Sequence, residues 1–186
     1  MIIIGITGTL GAGKGTVVEY LVKEKGFIHF SVRGYLKGII SQNGEPVNRD
    51  TLTRTANELR SANNPAFIIE ELYRQAASIG QNCIIESIRT PGEITSLRKQ
   101  PNFYLLAVDG DIRVRFERIR SRGSETDHVD FETFQQNELR EMHTNDPNKQ
   151  NLAECIRQAD YVIKNNGSLE ELHHDIESFI NVLKKG

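Results

Sequence analysis

The stretch that decides the fold is Ile4-Gly5-Ile6-Thr7-Gly8-Thr9-Leu10-Gly11-Ala12-Gly13-Lys14-Gly15-Thr16. It begins in an apolar run too short for a helix and ends where a helical pattern starts. A glycine-rich turn in that setting is what a phosphate-binding loop requires. Gly8, Gly11 and Gly13 let the backbone N–H groups converge on one centre, and the following helix adds its positive end. Lys14 supplies a point charge for the outer phosphates, where charge spreads during transfer.

Beyond the loop, short β-rich runs alternate with longer helical patterns, the signature of parallel βαβ units. The runs IIIGI near Ile2, FIHFS near Phe27, CIIES near Cys83, FYLLAVD near Phe103 and DYVIKN near Asp160 predict five strands. Helices are expected at 15–25, 34–41, 50–61, 65–80, 91–99, 111–122, 130–142, 148–158 and 168–184. Asp111 precedes one helical run, Ser168 opens a capping-box pattern, and Pro65 and Pro91 suit a first helical turn. No repeat or linker divides the chain, so one α/β domain over 1–186 is expected.

Composition narrows the partners. The 186 residues are 38% hydrophobic and 26% charged, with a formal net charge of −2. That balance argues against broad attraction to nucleic acid; the basic cluster from Arg113 to Arg122 suits a compact anionic ligand better. No stretch has the length of a membrane span, and the apolar start lacks the basic leader of a secretory signal, so no membrane partner and a cytoplasmic setting are expected. The two cysteines, Cys83 and Cys155, are too few for a disulfide framework and read as reduced and structural. His173 and His174 read as surface residues, and no metal is assigned to them.

The general phosphate-loop pattern ends Gly-Lys-Ser/Thr, whereas Gly15 follows Lys14 here and the hydroxyl comes at Thr16. This Gly-x-Gly-Lys-Gly-Thr variant resembles the loop of nucleoside monophosphate kinases such as adenylate kinase. The resemblance implies a three-layer P-loop fold with a five-stranded parallel sheet and a short lid, and Mg²⁺–ATP as donor. Gly8, Gly11, Ala12, Gly13, Lys14, Gly15 and Thr16 would hold its phosphates, and Mg²⁺ would depend on Thr16, water and an acidic residue.

The acceptor side follows the same likeness. Ile85-Glu86-Ser87-Ile88-Arg89-Thr90 stands where those kinases have an acidic residue, a glycine, an arginine and a threonine. Glu86 would then serve the metal and Arg89 would clamp the acceptor phosphate with its planar fork. Ser31-Val32-Arg33-Gly34-Tyr35-Leu36-Lys37 is similar to the segment opening their acceptor helix, with Lys37 at the phosphate-contacting position. Gly44-Glu45-Pro46-Val47-Asn48-Arg49 and Ala56-Asn57-Glu58-Leu59-Arg60 resemble the dephospho-CoA kinase-like or deoxynucleotide kinase-like branch. Arg49, Arg54 and Arg60 become candidates for reading the acceptor, although a helix-face pair of Arg54 with Glu58 explains Arg54 equally well.

Arg118 and Arg122, four residues apart, match the lid arginines of adenylate kinases, and Asn165 lies in a turn that would touch adenine. The acceptor-binding helical region is expected at about 32–80, and a short lid at about 122–145 carrying Asp127, Glu138, Arg140 and Glu141. Together these predict phosphoryl transfer by Lys14, Arg89, Arg118 and Arg122 to a nucleoside or deoxynucleoside monophosphate bound by Lys37, Arg60 and Arg89. A hydroxyl acceptor such as dephospho-CoA, with Glu86 or Glu45 as base, remains open, as does an ATP-binding regulatory module with little turnover. The protein would act as a monomer or homodimer on a small molecule.

Overall fold

In the computed structural model, residues 1–123, 129–144 and 150–183 are described, with the side chain of Arg49 excepted. The chain runs β1 (Ile3–Gly8), α1 (Lys14–Lys25), β2 (Ile28–Ser31), α2 (Val32–Gln42), α3 (Arg49–Ala62), α4 (Phe67–Ile79), β3 (Cys83–Glu86), α5 (Pro91–Leu97), β4 (Phe103–Asp109), α6 (Ile112–Arg122), α7 (Phe131–Met142), α8 (Leu152–Arg157), β5 (Tyr161–Lys164) and α9 (Leu169–Leu183). The strands form one parallel sheet in the order β2-β3-β1-β4-β5. Every residue of β1 is buried, which suits the central strand of a sheet covered on both faces.

Alternation along the strands builds a core on each face. Ile4, Ile6, Ile84, Leu106, Val108 and Ile163 face α1 and α9, against Val17, Leu21, Ile176 and Phe179. Ile3, Cys83, Ile85, Phe103 and Leu105 belong to the opposite core, with Ile69 and Leu72 of α4, Ile94 and Leu97 of α5, and Cys155 of α8. Each aliphatic side chain removed from water in this way contributes about 1.5–3 kcal/mol. Both cysteines are free and buried. Two smaller clusters matter for the site. Leu36, Ala56 and Ile68 join α2, α3 and α4, while Phe116, Ile119 and Phe134 join α6 to α7.

Helix starts follow local chemistry. Asp111 caps α6, Pro91 opens α5, and Ser168 exchanges hydrogen bonds with Glu171 in the first turn of α9. Pro65, expected in a first helical turn, instead precedes the helix: Asn64 Oδ1 accepts the Ala66 N–H at 2.8 Å and α4 starts at Phe67. The helix expected over 148–158 is shorter, because Asn151 caps it by accepting the Glu154 N–H at 3.2 Å. The helix expected from 34 starts at Val32, where Ser31 Oγ takes the Gly34 N–H at 3.2 Å. Among the described residues, no helix is long and apolar enough to cross a membrane.

Candidate active site

The phosphate loop links β1 to α1 and is too tightly enclosed for side chains at its turns. Gly8 has φ 132°, and a Cβ there would meet the Val108 carbonyl oxygen at 1.9 Å. Gly13 has φ 95°, and a Cβ would meet Asn165 Nδ2 at 2.5 Å. Gly13 caps α1 without a side-chain hydrogen bond, so the free N–H groups of the first turn are left to the loop. Lys14 Nζ donates to the carbonyls of Gly8 at 2.9 Å and Thr9 at 2.6 Å. Burial first, and the charge of Arg89 second, lower its pKa to about 8, against the opposing pull of Glu86 and Glu141. Gly15 is exposed in open space, and Thr16 is half-buried in the first turn of α1.

Three polar braces fix the loop. Thr9 donates to Asp109 at 2.8 Å at the end of β4, and Lys164 of β5 holds the other Asp109 oxygen at 2.6 Å. Asp109 stays ionised below the usual carboxylate range: its burial acts against this, and the Lys164 and Thr9 hydrogen bonds outweigh it. Asn165 donates to the Ala12 carbonyl at 2.8 Å, while Arg118 donates to Asn165 O at 2.7 Å and Gly167 O at 3.3 Å. Arg115, only 3% exposed, donates to Gly110 O at 2.8 Å, Leu10 O at 3.1 Å and Glu138 of α7 at 3.0 Å.

Next to the loop opens a cleft of about 580 Å³, walled by α2, α3, the segment after β3, and α7. Arg33, Arg60, Arg89 and Arg140 line it together with one carboxylate, Glu141. Arg89 Nη1 donates to Gln150 Oε1 at 2.8 Å and Glu141 Oε2 at 3.4 Å. Val32, Leu36, Leu52 and Ala56 give the cleft an apolar side. Ser87, also in the lining, holds φ 78°, the one left-handed non-glycine backbone among the described residues.

The structure gathers some expected site residues and leaves others apart. Lys14 and Glu86 are close enough to act on each other electrostatically, and Arg89 is close enough to act on both. Glu86 is held by His29 at 3.1 Å, and that hydrogen bond keeps its carboxyl below the usual range. Arg118 and Asn165 meet beside the loop. Lys37, a turn beyond Arg33, is exposed and outside the cleft lining. Arg122 is also exposed, roughly 10 Å along α6 from the Arg115 that touches the loop. Arg54 pairs with Glu45 and, at 3.8 Å, with Glu58 on an exposed helix face, which accounts for both Arg54 and Glu45 without the cleft. Asp127 and the side chain of Arg49 lie outside the described residues.

Sequence reasoning gave no site role to His29, Arg115, Asp109 or Glu93. Strand register was the available signal for one of them: β2 and β3 pair Ser31 with Glu86, so His29 shares a face with Glu86 two residues on. The loop fits the phosphates of a nucleotide, with an enclosed glycine cradle and an uncapped helix start. For a divalent cation, Glu86 offers an ionised carboxylate beside Lys14. Among the described residues no three His, Cys, Asp or Glu side chains form a metal cluster, so phosphate oxygens and water would complete any coordination.

Known proteins resemble this chain in sequence or in fold. A UPF0200 protein of Methanococcus maripaludis is 28% identical, the match covering 99% of each chain. A crystal structure of a putative kinase from Chloroflexus aurantiacus matches with a TM-score of 0.61 at 18% identity, covering 100% of this chain and 97% of its own. Shikimate kinase from Bacteroides thetaiotaomicron matches at 0.59 with 14% identity, covering 98% of both. The fold is therefore that of the P-loop kinases, as the loop and the five parallel strands predict. The AAA domain family matches residues 4–146, from the start of the phosphate loop through α7, and the chain belongs to that family.

Proposed function

We propose that this chain is an ATP-dependent small-molecule kinase that transfers the γ-phosphoryl group of Mg²⁺–ATP to a nucleoside or deoxynucleoside monophosphate. The observation that carries the reading is the four-arginine cleft beside the phosphate loop. Four guanidinium groups against one carboxylate suit an acceptor with a doubly charged phosphate, and the apolar wall suits a base or sugar face.

Roles follow from position. Residues 8–16 would cradle the donor phosphates, with Lys14 on the outer ones. Arg118 and Asn165 flank the loop on the side where a donor base would lie. Arg89, with Arg33, Arg60 and Arg140, would hold the acceptor phosphate in line with the group being transferred. A bound Mg²⁺ would neutralise charge on the phosphate oxygens, and Glu86 and Thr16 would hold it together with water. Residues 1–186 would act as one kinase domain in a cytoplasmic setting, with helices over 32–80 binding the acceptor and 122–145 serving as a lid that limits water as a competing nucleophile. ADP release with a panel of ribo- and deoxynucleoside monophosphates tests this, with Lys14→Ala as the blank. Stimulation by one monophosphate, lost in the variant, is expected; a panel without effect would sink the reading.

One observation favours a second reading. Glu141 stands in the cleft beside Arg89 and acts electrostatically on Lys14, which puts a carboxylate near the junction of donor and acceptor. With a hydroxyl acceptor such as dephospho-CoA, Glu141 would take the hydroxyl proton as general base. In that case dephospho-CoA stimulates ADP release and the monophosphates do not.

A further inference from the structure

Behind the arginine cleft sits a carboxylate that the proposed chemistry does not touch. Glu93, in the first turn of α5, is 2% exposed. Its Oε2 accepts the backbone N–H of Arg89 at 2.8 Å and of Thr90 at 3.1 Å. Its Oε1 lies 3.9 Å from Nη2 of Arg60 on α3. The Glu93 N–H returns a 3.2 Å hydrogen bond to Thr90 Oγ1, which completes a capping box.

A capping box needs only the reciprocal pair of Thr90 and Glu93. The reach to Arg89 and Arg60 goes beyond it, and these two arginines come from different parts of the chain: one follows β3, the other stands in the last turn of α3. Burying a carboxylate so completely is costly unless charged and hydrogen-bonding partners meet it. Burial pushes the Glu93 carboxyl up, while the Arg89 amide, Arg60 and the Thr90 amide pull it back.

We propose that Glu93 is a positioning residue for acceptor binding: one buried carboxylate fixes the backbone of Arg89 and the guanidinium of Arg60 so that both face the same phosphate. The inference rests on the acceptor-cleft reading above. It contrasts two carboxylates of opposite effect. Glu141 lines the cleft and takes Arg89 directly, so it competes with an incoming phosphate. Glu93 lies behind the arginines and prepares them. A purely Coulombic view makes both carboxylates antagonists, because removing either negative charge should favour an anion.

The sign of the effect therefore decides. Inorganic phosphate binding is measured by calorimetry on the full chain and on Arg89→Ala, Glu141→Gln and Glu93→Gln. Arg89→Ala is expected to lose binding, Glu141→Gln to tighten it, and Glu93→Gln to weaken it about tenfold, the lower end of the scale of one hydrogen bond to a charged group. If Arg89→Ala loses binding while Glu93→Gln binds as tightly as the unaltered chain or more tightly, the positioning role is overturned and the cleft reading stands. If Arg89→Ala binds phosphate unchanged, the cleft reading falls and the inference with it. Should Glu93→Gln melt early, the unaltered protein supplies the answer by NMR. Saturating phosphate is expected to shift the Arg89 amide and the Glu93 carboxyl carbon together; signals that stay fixed would overturn the proposal, since a cap alone has no reason to sense the ligand.

Discussion

Ser87 takes a left-handed backbone, the region that glycine enters most readily. A non-glycine residue in that region costs about 1–2 kcal/mol, partly offset by the roughly 0.5–1 kcal/mol that glycine loses through unfolded-chain entropy. Ser87→Gly is therefore expected to raise stability by about 0.5–1 kcal/mol in urea unfolding; an unchanged or lower midpoint would show that the serine side chain offsets its strain. Lys14 gives a second prediction at this scale. With its pKa lowered to about 8, the lysine of the free protein loses its proton as pH rises through that value. Nucleotide phosphates favour the charged form and raise the pKa on binding, so above pH 8 binding takes up a proton. ATP affinity is expected to fall by up to about tenfold per pH unit above 8, with calorimetric heats that depend on the buffer's ionisation enthalpy. A flat affinity between pH 8 and 9.5 would contradict this assignment of charge.

At the scale of elements, the joint between the phosphate loop, α6 and α7 is one arginine. Arg115 contacts the Leu10 carbonyl, the Gly110 carbonyl and Glu138, and its guanidinium lies over the Phe134 ring at 5.8 Å. Removing one partner of a buried pair leaves the other charge unmet, so Arg115→Ala is expected to cost about 3–5 kcal/mol and to weaken ATP binding through the loop. A loss near that of an exposed pair, below about 1 kcal/mol, would mean that Glu138 finds water instead. This joint also marks where sequence reading stopped. The strands, the helices and the loop were legible because each follows from local pattern: apolar runs, caps and glycine spacing. Arg115 reads as one of several arginines in a basic helix, and only the packing of α7 shows that it is buried while Arg113 and Arg120 remain on the outside of α6. Arg33 and Arg140, 107 positions apart, share one cleft for the same reason. Local pattern gives a residue's face on its helix, and tertiary packing decides what lies opposite.

Across the whole molecule, the parallel sheet collects the chemistry at one edge. β1 ends in Gly8, β2 in Ser31, β3 in Glu86, β4 in Asp109 and β5 in Lys164. These C-terminal ends carry the phosphate loop, the candidate metal carboxylate and the brace on Thr9, as expected of an open α/β sheet that binds ligands beyond its strand ends. The phosphate loop hangs from the centre of that edge, and the arginine cleft lies on the β2–β3 side, where α2 and α3 cover it. Such an arrangement supports direct transfer between two adjoining sites. The measurement that tests this most directly follows the phosphoryl group itself. With Mg²⁺ and γ-labelled ATP, the protein should move the label onto one nucleoside monophosphate, giving a labelled diphosphate whose formation Lys14→Ala and Arg89→Ala both abolish. Label found only in inorganic phosphate, whatever monophosphate is supplied, would contradict the account.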